Sequence, residues 1–155
     1  NFLEPIPKAK QDNLLKAYYE LLTHEDSSKR VEAAKAWSIW EGSTVKLIQN
    51  KALIEHSSDS RFAEAFSRIE CHYFTNNGWF DTDNYLIDNV DKIRHIPTVI
   101  VHGRYDVVCP VENAWELHKA WPESDLHIIP DSGHAMSEEG IKDKLIEYTD
   151  KFSKL

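Results

Sequence analysis

Two cysteines, five glycines and one methionine are all that this 155-residue sequence contains of these residue types. Cys71 and Cys109 match no metal or redox spacing, so we expect reduced thiols, as in a cytoplasmic protein. No stretch approaches the roughly 18 consecutive apolar residues of a membrane helix, and no signal peptide opens the chain. Because the sequence starts at Asn1 and its one methionine is Met136, we expect a segment of a longer protein.

Basic residues are also scarce. The chain has 18 Lys and Arg against 26 Asp and Glu, and its formal net charge is −8. A nucleic-acid-binding protein normally carries a basic stripe, which is missing here, so that function class is excluded. The eight histidines show no metal-ligand spacing, and no cofactor motif is present. We therefore expect neither a metal nor a cofactor.

The sequence up to about residue 92 predicts helices. Apolar residues recur with a helical period between residues 14 and 22. Four aromatic or aliphatic residues between residues 62 and 73 recur in the same way. A short helix is predicted over 84–90. The first of four longer helices is predicted from the apolar stripe of Leu14, Leu15, Tyr18, Leu21 and Leu22, with Pro5 and Pro7 marking its entry. The other three are a helix with N-cap candidates at 26–28 that ends near Gly42, a third from Ser43 or Thr44 through Leu53, and a fourth carrying Phe62, Phe66, Ile69 and Tyr73, capped by Ser60 and stopped by Asn77-Gly78.

After Pro97 the pattern changes to alternating strands and helices. Thr98–His102 is an apolar run that predicts a strand buried on both faces. A helix from Pro110 to Trp121, a second strand over Asp125–Ile129 and a helix over Glu138–Phe152 follow. This order is typical of a parallel sheet. Two strands alone cannot cover both faces and both edges, so this portion needs more sheet than the sequence provides.

Two loops of this portion carry candidate catalytic residues. Asp106 follows the first strand and His134 follows the second, so both belong to the carboxyl edge of the sheet, where functional groups gather. An aspartate bonded to a histidine fixes the imidazole tautomer during general-base catalysis. The alternative is that Asp106 caps the next helix and His134 is an ordinary loop residue. The two residues together, in this order and topology, favour the catalytic pair.

The matching nucleophile is missing from the sequence. α/β-Hydrolases carry it within G-x-S-x-G, and none of the five glycines pairs with another around a serine in that way. Ser132 is close to His134 in sequence, and we interpret it as a turn residue.

Several separated motifs resemble the proline iminopeptidases (prolyl aminopeptidases), a group of α/β-hydrolases. They are HIPTVIVHGRYDVVCPVENAWELHKAWPESDLHIIPDSGH at 95–134, WSIWEGS at 37–43 and SRIECHYFTNNGWF at 67–80. The resemblance implies an α/β protein, namely the C-terminal portion of an α/β-hydrolase fold with a mostly helical cap over 1–92 and part of the core over 93–155. Asp106 and His134 would be triad acid and base. The serine would lie in a missing N-terminal half, which becomes the expected partner.

The same resemblance assigns a substrate and the residues that bind it. Members of this family remove proline from the N-terminus of peptides, and Glu41 and Glu70 match positions that bind the substrate amine. Phe74 matches a pocket position. Independently of the resemblance, Cys109 is expected to border the site because it lies three residues after Asp106. The alternatives are a solvated edge charge at Glu70, a charge near a helix C-terminus at Glu41, core packing for the aromatic residues and a packed thiol of no catalytic importance at Cys109.

The sequence thus predicts a serine exopeptidase that needs this chain together with its N-terminal half, and it predicts that the isolated chain is inactive. One rival is another α/β-hydrolase, an esterase or amidase, which should not require a free substrate amine. A second rival is a non-catalytic helical binding fragment, which should be monodisperse alone. We expect instead that exposed strand edges make the isolated chain self-associate, as a homo-oligomer.

Overall fold

A computed structural model describes residues 1–154 of the chain. Short 3₁₀ turns occur at Lys8–Lys10, Asn77–Trp79 and Val90–Lys92. None of the helices in this described part is long and apolar enough to cross a membrane. The helices and strands, in chain order, are α1 (Leu14–Leu22), α2 (Ser27–Thr44), α3 (Lys51–Ser57), α4 (Ser60–Thr75), α5 (Tyr85–Asp88), β1 (Val99–Gly103), α6 (Val111–Ala120), β2 (Asp125–Ile129) and α7 (Glu139–Phe152).

The chain divides into two compact units. The helical unit comprises residues 1–43 and 50–80, and the sheet unit comprises residues 44–49 and the chain from residue 81 onwards. Residues 44–49 therefore belong to the sheet unit, although the chain on either side of them belongs to the helical unit. The cap boundary near residue 92 stays a prediction.

The core of the helical unit lies among α1, α2 and α4. Tyr18 of α1 is fully buried, its hydroxyl donates to the Phe2 carbonyl, and burial raises its pKa. Ser67 of α4 donates a hydrogen bond of 3.0 Å to the Ala34 carbonyl of α2. The buried apolar residues of this core are Ile6, Ala17, Tyr18, Leu22, Ala33, Ala34, Trp37, Ala63 and Cys71.

Helix α4 exists as predicted, but its cap and its buried face differ from the prediction. Asp59 caps the helix through its carboxylate, which accepts the Phe62 N–H at 2.8 Å, and Ser60 is the first helical residue. The buried residues are small (Ala63, Ser67 and Cys71), whereas Phe62, Ile69 and Tyr73 of the predicted apolar stripe are exposed. Small side chains let neighbouring helices approach closely, and a pattern of large apolar residues does not reveal such a face.

The predicted third helix was wrong at its start. Helix α2 continues to Thr44, two residues beyond Gly42, and residues 45–50 are not helical. Helix α3 begins at Lys51, because the Asn50 side chain accepts the Leu53 N–H at 3.0 Å and so caps the helix. The Val45 carbonyl is bonded to residues of the sheet unit instead of a helical turn.

In the sheet unit, β1 and β2 pair in parallel, from Val99 opposite Asp125 to Gly103 opposite Ile129. Helix α6 connects them, and α7 follows β2, as the sequence predicts. The strand β1 is shifted by one residue from its prediction. Its first four residues are only partly buried, contrary to the expectation of a strand buried on both faces, because the described part of the chain supplies a sheet of two strands.

Candidate active site

The loops that follow β1 and β2 are in direct backbone contact. The Arg104 N–H donates to the Ile129 carbonyl at 2.8 Å, and the Tyr105 N–H donates to the Ser132 carbonyl at 3.0 Å. A Cβ atom at Gly103 would lie 1.9 Å from the Gly133 carbonyl oxygen. The first strand can therefore end beside the second loop only because residue 103 has no side chain.

This contact brings Asp106 and His134 together. The Asp106 Oδ2 atom lies 2.9 Å from the His134 Nδ1 atom. Asp106 is 8% exposed, while the His134 side chain is 38% exposed. Because the carboxylate can only accept, the Nδ1 atom carries the proton and the Nε2 atom is left as the basic nitrogen. Such an arrangement can orient a histidine for general-base catalysis.

The second oxygen of Asp106 is held by its own loop. Asp106 Oδ1 accepts the Val108 N–H at 3.0 Å and the Cys109 N–H at 2.8 Å. The N-cap of α6 is Pro110, and no side chain caps that helix. Asp106 thus fixes the loop that presents it, and the alternative of a helix-capping aspartate does not describe its contacts.

His102, which is not among the site residues predicted from the sequence, also contacts this carboxylate. Its Nε2 atom lies 2.9 Å from the Cys109 carbonyl and 3.4 Å from Asp106 Oδ2. Since a carbonyl only accepts, Nε2 carries a proton and presents positive charge density to the carboxylate. The signal for it was its place at the end of a strand, where a long side chain reaches the following loop.

The loop that carries His134 is fastened to the 44–49 segment. The N–H groups of His134 and Ala135 both donate to the Val45 carbonyl, at 3.0 and 2.8 Å. Glu138 accepts the Gly133 N–H at 2.7 Å and the Leu47 N–H at 3.3 Å, each with a different oxygen. No sequence pattern indicates these contacts, since most partners are main-chain atoms far apart in sequence.

Two other side chains of these loops have simpler positions. Ser132 is 2% exposed, and its carbonyl accepts the Tyr105 N–H, while its interpretation as a turn residue stays a prediction. Cys109 is exposed and its main chain contacts both Asp106 and His102, so it borders the Asp–His pair. No group of three His, Cys, Asp or Glu residues within 1–154 is arranged to hold a metal ion.

In the helical unit, Glu70 is bonded to a buried tryptophan. The Trp37 indole N–H donates to Glu70 Oε2 at 2.6 Å, and Trp37 is 5% exposed. Glu70 itself is partly buried. A carboxylate that is partly desolvated and hydrogen-bonded to the core is not a solvated edge charge, so that alternative does not describe Glu70.

The other two predicted binding residues lie one helical turn from this pair. Glu41 follows Trp37 by four residues in α2 and is partly buried, and Phe74 follows Glu70 by four residues in α4. Residues four apart share a helix face. The Trp37 and Phe74 rings are 6.2 Å apart between centroids, and Phe74 is 51% exposed. Of the predicted cap aromatics, Trp37 is core, whereas Trp40, Tyr73 and Phe74 are about half exposed.

Comparisons with known proteins agree with this architecture. Residues 8–141 match the model of a protein family that is described as having the alpha/beta hydrolase fold. The chain is 56% identical over 152 residues to a probable proline iminopeptidase of Leptolyngbya boryana, covering 98% of this chain and 47% of that protein. It is 46% identical to the proline iminopeptidases of Xanthomonas citri and Arabidopsis thaliana, covering 99% of this chain and 49% and 41% of theirs. The chain thus spans about half the length of the curated relatives it matches.

Proposed function

Since this chain belongs to the α/β-hydrolase fold family, we propose that it acts as the C-terminal part of a prolyl aminopeptidase, a serine peptidase that releases N-terminal proline from peptides. The observation that carries the proposal is the Asp106–His134 hydrogen bond at the carboxyl end of two parallel strands. The relatives named proline iminopeptidase support the substrate class. We also propose a cytoplasmic location, because two cysteines with neither a metal nor a redox spacing are typical of a protein that keeps its thiols reduced.

The proposed mechanism is acyl transfer to a serine supplied by the N-terminal half. The His134 Nε2 atom takes the serine proton as the hydroxyl oxygen attacks the prolyl carbonyl carbon. The same proton then goes to the departing amine as the peptide C–N bond breaks. His134 then deprotonates a water molecule, whose oxygen attacks the acyl carbon of the acyl-enzyme. As the ester C–O bond breaks, the serine oxygen takes this proton back from His134, and proline leaves. Asp106 holds the imidazole orientation and stabilises the imidazolium through both steps.

Substrate selection is proposed to rest on two carboxylates. A free N-terminal proline is a secondary ammonium with two N–H donors, and Glu41 and Glu70 each accept one of them in a charge-assisted hydrogen bond. A substrate with a blocked amine would leave these carboxylates desolvated and unpaired. Phe74 is proposed to contact the pyrrolidine ring, and Cys109 to border the site without a catalytic role.

The test is a comparison of two chromogenic substrates on a full-length protein that carries these 155 residues. We expect rapid hydrolysis of proline p-nitroanilide and at least roughly 100-fold slower hydrolysis of N-acetylproline p-nitroanilide, because the acetylated nitrogen has neither an N–H nor a charge to offer the two carboxylates. Equal rates on the two substrates would favour an esterase or amidase with a different cap specificity. No hydrolysis of either would refute the proposed function.

A further inference from the structure

Glu138 makes an unusual pair of contacts between two separate stretches of backbone. One of its oxygens accepts the N–H of Gly133, the residue before His134, at 2.7 Å. The other accepts the N–H of Leu47, in the 44–49 segment, at 3.3 Å. We refer to this pair of hydrogen bonds as the Glu138 bridge. It connects the His134 loop to Leu47, which lies 91 positions before Glu138 in sequence.

The Glu138 bridge works beside two main-chain hydrogen bonds. His134 and Ala135 donate their N–H groups to the Val45 carbonyl at 3.0 and 2.8 Å. The backbone of the proposed base is therefore bonded directly to the 44–49 segment, and the Glu138 bridge joins the same two stretches through Gly133, one residue before His134, and Leu47, two residues after Val45. Together, the two main-chain hydrogen bonds and the two of the Glu138 bridge fix the position and orientation of the loop from which the imidazole projects.

The side chain of Glu138 makes no capping hydrogen bond to the helix that follows it. Glu138 is the N-cap residue of α7, yet no side-chain hydrogen bond caps that helix. An N-cap oxygen normally accepts an N–H of the first helical turn. Glu138 instead points both oxygens at the two loops, so its contacts serve the His134 loop and not the start of α7.

Gly133 leaves the space in which the Glu138 bridge forms. A Cβ atom at residue 133 would lie 2.8 Å from the Leu47 nitrogen and 3.0 Å from Glu138 Oε1. Both distances are shorter than an ordinary carbon contact, so any side chain there would push the bridge apart. Glycine at residue 133 is thus needed for the Glu138 bridge as well as for the turn itself.

We propose that Glu138 is a positioning residue for His134, and that it holds the imidazole at the height required for proton transfer by fastening the His134 loop to the 44–49 segment. The inference rests on the proposed function, in which His134 is the general base. Small displacements of a catalytic group are costly: a misplacement of about 1 Å can reduce a rate by roughly 100-fold. A positioning role therefore predicts a loss in kcat with little change in KM.

The test uses the full-length protein and the variant Glu138→Gln, which keeps the size of the side chain. A carboxamide has one acceptor oxygen, and its NH₂ group would face an N–H donor, so one half of the bridge is lost. Glu139→Gln is the matched control, because Glu139 is the exposed neighbour in the first turn of α7. Steady-state kinetics on proline p-nitroanilide are combined with hydrogen–deuterium exchange of peptides covering 44–50 and 131–138.

For Glu138→Gln we expect kcat to fall roughly 10- to 100-fold with KM within about twofold, and both peptides to exchange faster than in the unmodified protein. Glu139→Gln should match the unmodified protein in both measurements. Faster exchange with unchanged kcat would overturn the proposal, since the bridge would then be structural only. Unchanged exchange in both peptides would overturn it as well.

Two further outcomes remain decisive. If the unmodified protein does not hydrolyse the proline substrate, the proposed function fails, whereas the exchange measurement still decides whether Glu138 holds the two stretches together. If Glu138→Gln melts below the assay temperature, Glu138→Asp replaces it in the same measurements. Aspartate keeps both acceptor oxygens on a shorter stem, so a positioning role predicts that kcat falls with KM little changed, and an unchanged kcat would refute it.

Discussion

Glu70 combines a partly buried carboxylate with a hydrogen bond from Trp37, whose indole lies in the core of the helical unit. The indole N–H can donate to a carboxylate or to a neutral carboxamide oxygen. The fold therefore requires an acceptor at residue 70, whereas binding of an ammonium substrate requires a negative charge. Glu70→Gln separates these two requirements.

We predict that Glu70→Gln lowers kcat/KM for proline p-nitroanilide by roughly 10- to 100-fold, the value of a lost charge-assisted hydrogen bond. Its melting temperature should stay within a few degrees of the unmodified protein. Glu55→Gln, the same charge change at an exposed residue of α3 in the same unit, is the control and should change neither quantity. Unchanged kcat/KM in Glu70→Gln would show that residue 70 does not bind the amine.

At the residue scale, sequence reasoning found the Asp106–His134 contact because strand topology determines it: the carboxyl ends of parallel strands lie side by side. It did not find His102 or Glu138. The His102 Nε2 proton goes to a main-chain carbonyl, and both oxygens of Glu138 accept main-chain N–H groups. Such partners leave no residue-type pattern in the sequence, so only the folded backbone reveals them.

At the scale of elements, the two strands of the sheet unit are connected at their ends by backbone contacts around Gly103. A Cβ atom at this residue would lie 1.9 Å from the Gly133 carbonyl oxygen and 2.6 Å from the Ser132 carbonyl oxygen. Main-chain atoms cannot move aside as a side chain can. A methyl group here must separate the two loops.

We therefore predict that Gly103→Ala destabilises the full-length protein by more than about 2 kcal/mol, at the upper end of ordinary overpacking costs. It should also abolish most activity, because the separation displaces His134 from Asp106. Gly140→Ala is the comparison: its Cβ would meet the Ile129 side chain at 2.6 Å, and alanine gains up to about 1 kcal/mol within a helix. Urea denaturation measures the free energy of unfolding of both variants. Equal losses in Gly103→Ala and Gly140→Ala would contradict the special role of the backbone contact at Gly103.

Most elements could be predicted from hydrophobic period and breakers, including α1, α4, α6, β2 and the βαβ order. The start of α3 could not, because Val45 and Leu47 continue an apolar pattern while their main-chain groups are bonded to the sheet unit. The buried face of α4 could not either, since its residues are small. In both cases tertiary contacts, not local propensity, decide the outcome.

At the scale of the whole molecule, the sheet unit has a parallel sheet of two strands within residues 1–154. Each strand has one edge without a strand partner in this part of the chain, and large apolar residues such as Tyr105, Val107 and Trp115 are exposed. A parallel pair normally lies inside a larger, covered sheet. We expect the additional strands, together with the serine, to come from an N-terminal half.

This expectation predicts the behaviour of the 155-residue chain. Alone, it should not hydrolyse proline p-nitroanilide and should self-associate in size-exclusion chromatography with light scattering, because unpaired strand edges associate. Mixed with a separately produced N-terminal half, it should form a heterodimer that turns over the substrate. Activity from the pure chain would place a nucleophile within it. A folded, associated mixture without activity would argue for another substrate or a binding role.

The contacts between the 44–49 segment and the His134 loop also determine which changes this part of the chain can accept during evolution. Val45 contributes a carbonyl and Leu47 an N–H, so any side chain at these two positions keeps the hydrogen bonds, with proline at 47 excluded because it lacks the N–H. The spacing between the two residues is a different matter. Insertion or deletion of one residue there would move one partner out of register, and we expect this stretch to vary in sequence but not in length.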